Sequence, residues 1–199
     1  MTTIYLVRHG HYDSPSPVAP YRLPGFHLSA LGKTQVAALA ETLKSVKLSA
    51  IFTSPMERTQ ETAAMIGKPH TIHPIVDTRL LEVRSPLQGK TLEEIEALGG
   101  WNWQIYETAW YASQKGETIK EIQARVISCI EEKRKEYRNN GVVLVSHGDP
   151  IMLAVAYYRG ITPTIEHLTA LQPYVAMATG FRIIFEAKSV VGIYPIVAS

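Results

Sequence analysis

Two short apolar runs, one near each end of the chain, each deliver a histidine followed by a glycine. Ile4-Tyr5-Leu6-Val7 leads into Arg8-His9-Gly10, and Val142-Val143-Leu144-Val145 leads into Ser146-His147-Gly148. Each run is bounded by a turn residue and is too short for a globular helix, so each reads as a buried strand. Two such strands predict two imidazoles presented at one edge of a sheet. The arrangement suits a phosphate held between them.

The stretches in between alternate strand and helix patterns. Residues 10–27 form a loop, because Pro15, Pro17, Pro20 and Pro24 exclude a regular element. Residues 29–44 carry apolar side chains at helical spacing behind Ser29, a candidate N-cap. Residues 50–53 read as a short strand. Ser54-Pro55-Met56-Glu57 reads as a helix start, with Ser54 as cap, Pro55 at N1 and Glu57 closing a capping box. That helix is expected to reach about Ile66, with Gly67 in the C′ position. Residues 70–75 read as a strand, and a loop follows through Leu81-Glu82 to Gly89.

Thr91 and Thr118 each open a helix with a capping box, the first short, the second long and amphipathic to about Asn139. Between them lies an aromatic segment holding Trp101, Trp103, Tyr106, Trp110 and Tyr111. It reads either as plain packing or as an apolar wall that selects the substrate. Asp149-Pro150 reads as N-cap and N1 of a helix to Tyr158. Residues 163–168 suggest a short helix, and residues 174–179, 181–186 and 190–197 a meander of strands. The alternation argues for an α/β fold: three layers, α/β/α, around a mainly parallel sheet. With 199 residues and no linker or repeat, one domain spanning 1–199 is expected.

The formal net charge is only +2, without a dense Lys/Arg block, so nucleic acid is not an expected partner. One cysteine, Cys129, rules out an internal disulfide and reads as a core thiol. No apolar run is long enough to span a bilayer, and no leader pattern precedes the first strand, so a cytoplasmic location and no membrane partner are expected. A homodimer is left open.

In a parallel sheet, ligands bind at the carboxyl ends of the strands. Arg8, His9 and His147 collect there, and Arg58, in the first turn of the helix after residues 50–53, is within reach. Two arginine forks match phosphate oxygens, and helix N-termini add dipole attraction. Histidine can accept a phosphoryl group covalently, and the transfer needs mainly positioning and charge stabilisation. Such a clamp requires no metal or other cofactor. His9-x-His11 and His70-x-x-His73 lack the carboxylates or thiolates of a metal set. A leaving alkoxide needs a proton; Glu82 is the leading candidate acid, and Asp13 is a rival. Arg22, Arg84 and Trp101 lie where they could touch the substrate.

These residues also carry a family resemblance along almost the whole chain. Arg8-His9-Gly10 after the first strand resembles the signature of the histidine phosphatase superfamily, the phosphoglycerate mutase-like fold. Leu28-Ser29-x-x-Gly32-x-x-Gln35, Ser54-Pro55-x-x-Arg58-Thr59-x-x-Thr62-Ala63, Leu81-Glu82 before Gly89, Gly116-Glu117-Thr118 and Ser146-His147-Gly148 resemble its further motifs, in order. The resemblance implies His9 as the phosphorylated nucleophile. It implies Arg8, Arg58 and His147 as the phosphate pocket and Glu82 as the proton donor.

Mutases of the family carry Glu-Ser after the glycine, where this chain has His11-Tyr12-Asp13-Ser14-Pro15. The segment between Glu82 and His147 also lacks their longer basic insertion. The expectation is therefore a metal-independent phosphatase that hydrolyses small phosphomonoesters through phosphohistidine at His9. The alternatives are a phosphoglycerate mutase-type isomerase and a non-catalytic phosphate-binding module.

Overall fold

The computed structural model describes residues 1–187 and 189–196. Six strands form one sheet: β1 (Thr2–Arg8), β2 (Leu48–Thr53), β3 (Ile75–Val76), β4 (Gly141–Ser146), β5 (Gly180–Glu186) and β6 (Ser189–Ile196). Their spatial order is β3-β2-β4-β1-β5-β6. β3, β2, β4 and β1 run parallel, while β5 and β6 are antiparallel to their neighbours. The expected mainly parallel α/β sheet is present, extended by an antiparallel hairpin.

The helices are α1 (Ala30–Leu43), α2 (Glu57–Gly67), α3 (Leu92–Ala97), α4 (Ala109–Ser113), α5 (Ile119–Glu136), α6 (Gly148–Tyr158) and α7 (Ile165–Ala170). β4 is buried along its whole length, which explains why its sequence is apolar without alternation. Val142 and Leu144 pack with Ile122, Val126 and Ile130 of α5 and with Met152 and Val155 of α6. Val143 and Val145 face the other way, onto Val36 and Leu39 of α1 and Ala63 and Ile66 of α2. This two-sided burial makes the three layers. Among the described residues, no helix is long and apolar enough to cross a membrane.

Both threonine capping boxes form: Thr91 with Glu94 and Thr118 with Glu121. Several local expectations need correction. Ser54 does not cap α2; the helix starts at Glu57 behind Met56, which makes no side-chain cap bond. Gly67 is the last residue of α2 and has ordinary right-handed torsions. It is a glycine for space, since a Cβ would sit 2.3 Å from the Ile72 carbonyl oxygen. Residues 70–75 are not a strand. A 3-10 turn occupies Lys68–His70, and only Ile75 and Val76 reach β2 to pair.

α6 starts two residues early, at Gly148 with His147 in the cap position, so Asp149 lies inside its first turn. α5 ends at Glu136, ahead of the expected Asn139. The short helix expected over 163–168 is α7, two residues later. Residues 174–179 form no strand: they fold over the end of β1, where Val175 and Thr179 carbonyls accept from Arg8 and the Ala178 N–H donates to the His9 carbonyl. The last residue of the expected final strand, Val197, lies outside the described residues.

Candidate active site

β1 and β4 are adjacent and in register, with Arg8 beside Ser146, so their carboxyl ends finish at the same level. The following residues, His9 and His147, therefore face each other with ring centroids 5.2 Å apart. β2 lies on the other side of β4 and brings Ser54 and the first turn of α2, which carries Arg58. The structure brings Arg8, His9, Arg58, Glu82 and Trp101 together around one cavity of about 540 Å³. His147 stands immediately behind it, fully buried.

His9 is 2% exposed. Its Nδ1 lies 2.8 Å from the Gly10 carbonyl oxygen. A carbonyl only accepts, so Nδ1 carries the proton and Nε2 keeps its lone pair. Nε2 in turn accepts from Nε of Arg58 at 3.3 Å. Burial first, and then the Arg58 charge, hold the His9 pKa well below that of an ordinary imidazole. The ring is neutral and oriented.

Arg58 is 1% exposed. Its Nη2 donates to the Tyr21 carbonyl at 2.7 Å and lies 3.3 Å from Nδ1 of His147. Arginine only donates, so His147 has its proton on Nε2, which lies 2.9 Å from the Ser54 hydroxyl. This is where the Ser54 side chain goes instead of capping α2. Arg8 donates through Nη1 to the Val175 carbonyl at 2.7 Å. Nε of Arg8 and Nη1 of Arg58 are buried and have no hydrogen-bond partner among the described residues. Buried donors of this kind are rare, and two of them beside a neutral imidazole form a cradle for an anion.

Glu82 closes the group. Oε2 lies 3.6 Å from Nδ1 of His147, and the side chain keeps 17% of its exposure. Burial, followed by the charge of Asp149, pushes its pKa up to about 7. His147 is pushed well below its ordinary value by burial and by Arg58. With His147 neutral, the Glu82–His147 contact is not an ion pair.

The Glu82 loop is held from behind. Glu117 is 7% exposed. It accepts from Arg125 Nε at 2.6 Å, from Arg22 Nη2 at 2.9 Å and from the Arg84 backbone N–H at 3.0 Å. Arg125 also donates to the Leu81 carbonyl at 2.7 Å, and Arg22 to the Glu82 carbonyl at 2.6 Å. Arg22 and Arg84 therefore do not line the cavity: Arg22 braces the Glu82 backbone, and Arg84 donates to the Lys115 carbonyl at the surface. Asp13 is exposed and also lies off the cavity wall. Among the described residues, no group of three or more His, Cys, Asp or Glu side chains could hold a metal ion. Cys129 is buried, and burial raises its thiol to about 12, in keeping with a core role.

Sequence reasoning missed Asp149, Tyr12 and Tyr174 as cavity-wall residues, whereas Tyr106 comes from the aromatic segment already read as a candidate wall. Asp149 accepts from the Tyr106 hydroxyl at 2.5 Å and from the Tyr174 hydroxyl at 2.6 Å. The signal was Gly148: a Cβ there would lie 2.0 Å from the Tyr174 hydroxyl, so only glycine lets that ring in. Tyr12 stands edge-on to His9 at 5.5 Å and lies under the Arg58 guanidinium.

Comparison with known proteins agrees with this geometry. The family described as the histidine phosphatase superfamily (branch 1) matches residues 4–177. Phosphoserine phosphatase 1 of Hydrogenobacter thermophilus is 32% identical over 168 residues, covering 81% of this chain and 78% of its own. The structure of Bacillus stearothermophilus YhfR superposes with a TM-score of 0.83 at 25% identity, covering 96% of this chain and 94% of that one. A mycobacterial glucosyl-3-phosphoglycerate phosphatase, in complex with VO3, superposes with a TM-score of 0.80 at 26% identity and 99% coverage of both chains. A family match over most of the chain, with the two His-Gly strand ends side by side, makes this protein a member of the histidine phosphatase superfamily.

Proposed function

We propose that this protein is a phosphomonoesterase that works through a phosphohistidine at His9 and needs no metal. The observation that carries the reading is the state of His9: neutral, with Nδ1–H directed at the Gly10 carbonyl and Nε2 unprotonated, its lone pair taking only a 3.3 Å bond from Arg58 that a phosphoryl group would displace. The phosphoryl oxygens would take the unpaired N–H groups of Arg8 and Arg58. In the first step Nε2 of His9 bonds to phosphorus, the bond from phosphorus to the ester oxygen breaks, and protonated Glu82 gives its proton to that oxygen. In the second, Glu82 takes a proton from water as the water oxygen bonds to phosphorus. The N–P bond then breaks, and inorganic phosphate and free His9 remain.

Two relatives named as phosphatases support hydrolysis as the reaction class. The substitution of His11-Tyr12 for the mutase pattern supports it from the sequence side: Tyr12 fills space against His9, and His11 turns away to Ser29 at 2.8 Å. Turnover of a generic aryl phosphate, measured with EDTA and with vanadate, tests the reading. Activity that survives EDTA and is blocked by vanadate is expected; activity lost with EDTA and restored by a divalent cation would contradict it.

A further inference from the structure

The cavity has two chemically different ends. Among the described residues its cationic side chains are Arg8 and Arg58, at the His9 end, where the phosphoryl group is proposed to lie. The outer walls are Trp101, Trp103, Tyr106, Ile105 and Met177. Trp103 is stacked on Tyr106 at 5.8 Å, and Tyr106 packs on Tyr111 at 5.1 Å, so this wall is assembled and rigid. Trp101 stands at the rim with 58% exposure, a large apolar surface turned to solvent. The titratable groups on the walls beyond the clamp are Glu82 and Asp149, both acids, with the Tyr12, Tyr21, Tyr106 and Tyr174 phenols. Among the described residues, no lysine and no third arginine lines the cavity; Ser85, Asn102, Thr169 and Gln172 add neutral polar groups. A second anionic group on a substrate would meet two carboxyl groups and these neutral hydroxyls and amides, with no cation to offset its charge. An uncharged flat group would meet aromatic faces, and the cavity is large enough for a ligand of that size.

We propose that the site takes phosphomonoesters whose alcohol carries an uncharged, flat, apolar group lodged against the Trp101–Tyr106 wall, and that it rejects alcohols bearing a carboxylate or second phosphate. This rests on the phosphatase reading for where the phosphoryl group lies. It departs from the substrates in the names of the phosphoserine and glucosyl-3-phosphoglycerate phosphatases, whose alcohols carry carboxylates.

Three esters of matched alcohol acidity isolate the effect: n-propyl phosphate, 3-phenylpropyl phosphate and 3-(4-carboxyphenyl)propyl phosphate. Expected is a kcat/KM for the phenyl ester about tenfold or more above the propyl ester, the size of effect that burying one ring in an apolar pocket supports. The carboxyphenyl ester should lose most of that gain. In Trp101→Ala the phenyl-to-propyl ratio should fall; Trp101 is exposed, so folding is not at stake. The same three esters titrated onto His9→Ala by calorimetry read the preference without turnover. Phenyl preference in binding with no turnover of any ester by the wild type would sustain this inference and sink the phosphatase reading. Turnover of all three with no preference, or with the carboxyphenyl ester favoured, would overturn the inference and leave the reading intact.

Discussion

Ser54 and His147 are 93 residues apart in sequence, yet the Ser54 hydroxyl lies 2.9 Å from Nε2 of His147 inside the protein core. Both residues are fully buried. Arg58, which can only donate to Nδ1, fixes the His147 proton on Nε2, and the Ser54 hydroxyl accepts that N–H. Ser54→Ala strands a buried N–H. It should cost about 1–3 kcal/mol of stability, the usual penalty for an unsatisfied buried donor. Equilibrium denaturation checks this. A midpoint equal to wild type would show that His147 does not depend on Ser54.

Glu82 carries the pH dependence. Its carboxyl is raised from an ordinary 4.5 to about 7 by burial and by Asp149. The proton donor is thus present below pH 7 and lost above it, so the alkaline limb of kcat should fall around that pH. Glu82→Gln should remove this limb and lower kcat by about 10²–10⁴-fold. The stability consequence has the opposite sign to that of a salt-bridged acid. Between the unfolded value of 4.5 and the folded value near 7, the native state binds more protons than the unfolded state. This group's contribution therefore weakens as pH rises through that window. Glu82→Gln should flatten the wild-type loss of stability between those values; an unchanged slope would place the raised group elsewhere.

Arg125 acts on the same acid from behind. Its guanidinium ties Glu117 to the Leu81 and Glu82 carbonyls without itself lining the cavity. Arg125→Met should destabilise the fold by about 3 kcal/mol, because Glu117 loses its closest partner. It should also lower kcat about 10–10²-fold through misplacement of Glu82. The double variant Arg125→Met/Glu117→Gln should recover stability but not kcat. Recovery of both would make the network purely structural.

The parts of this molecule legible in the sequence were those in which local pattern and global role coincide. β1 and β4 announce themselves because each is an apolar run, fully buried in β4 and largely so in β1, that leads into His-Gly. The Thr91 and Thr118 boxes formed because nothing competes for their hydroxyls. Ser54 carries the same local grammar and was misread, because His147 takes its hydroxyl across 93 residues. Asp149 was misread as a cap for the same kind of reason: two tyrosines from distant segments claim its oxygens. Arg22 reads in the sequence only as a loop residue that could touch the substrate; the partner that holds it, Glu117, is 95 residues away. In each case a long-range polar contact overrides a good local motif, and no periodicity reports it.

The account turns on the unprotonated Nε2 of His9. Brief reaction with a ³²P-labelled phosphomonoester in EDTA, quenched and mapped to a residue, tests it most directly. Acid-labile, base-stable label on His9 is predicted, absent from His9→Ala. Label on another residue, or full turnover by His9→Ala, would contradict it.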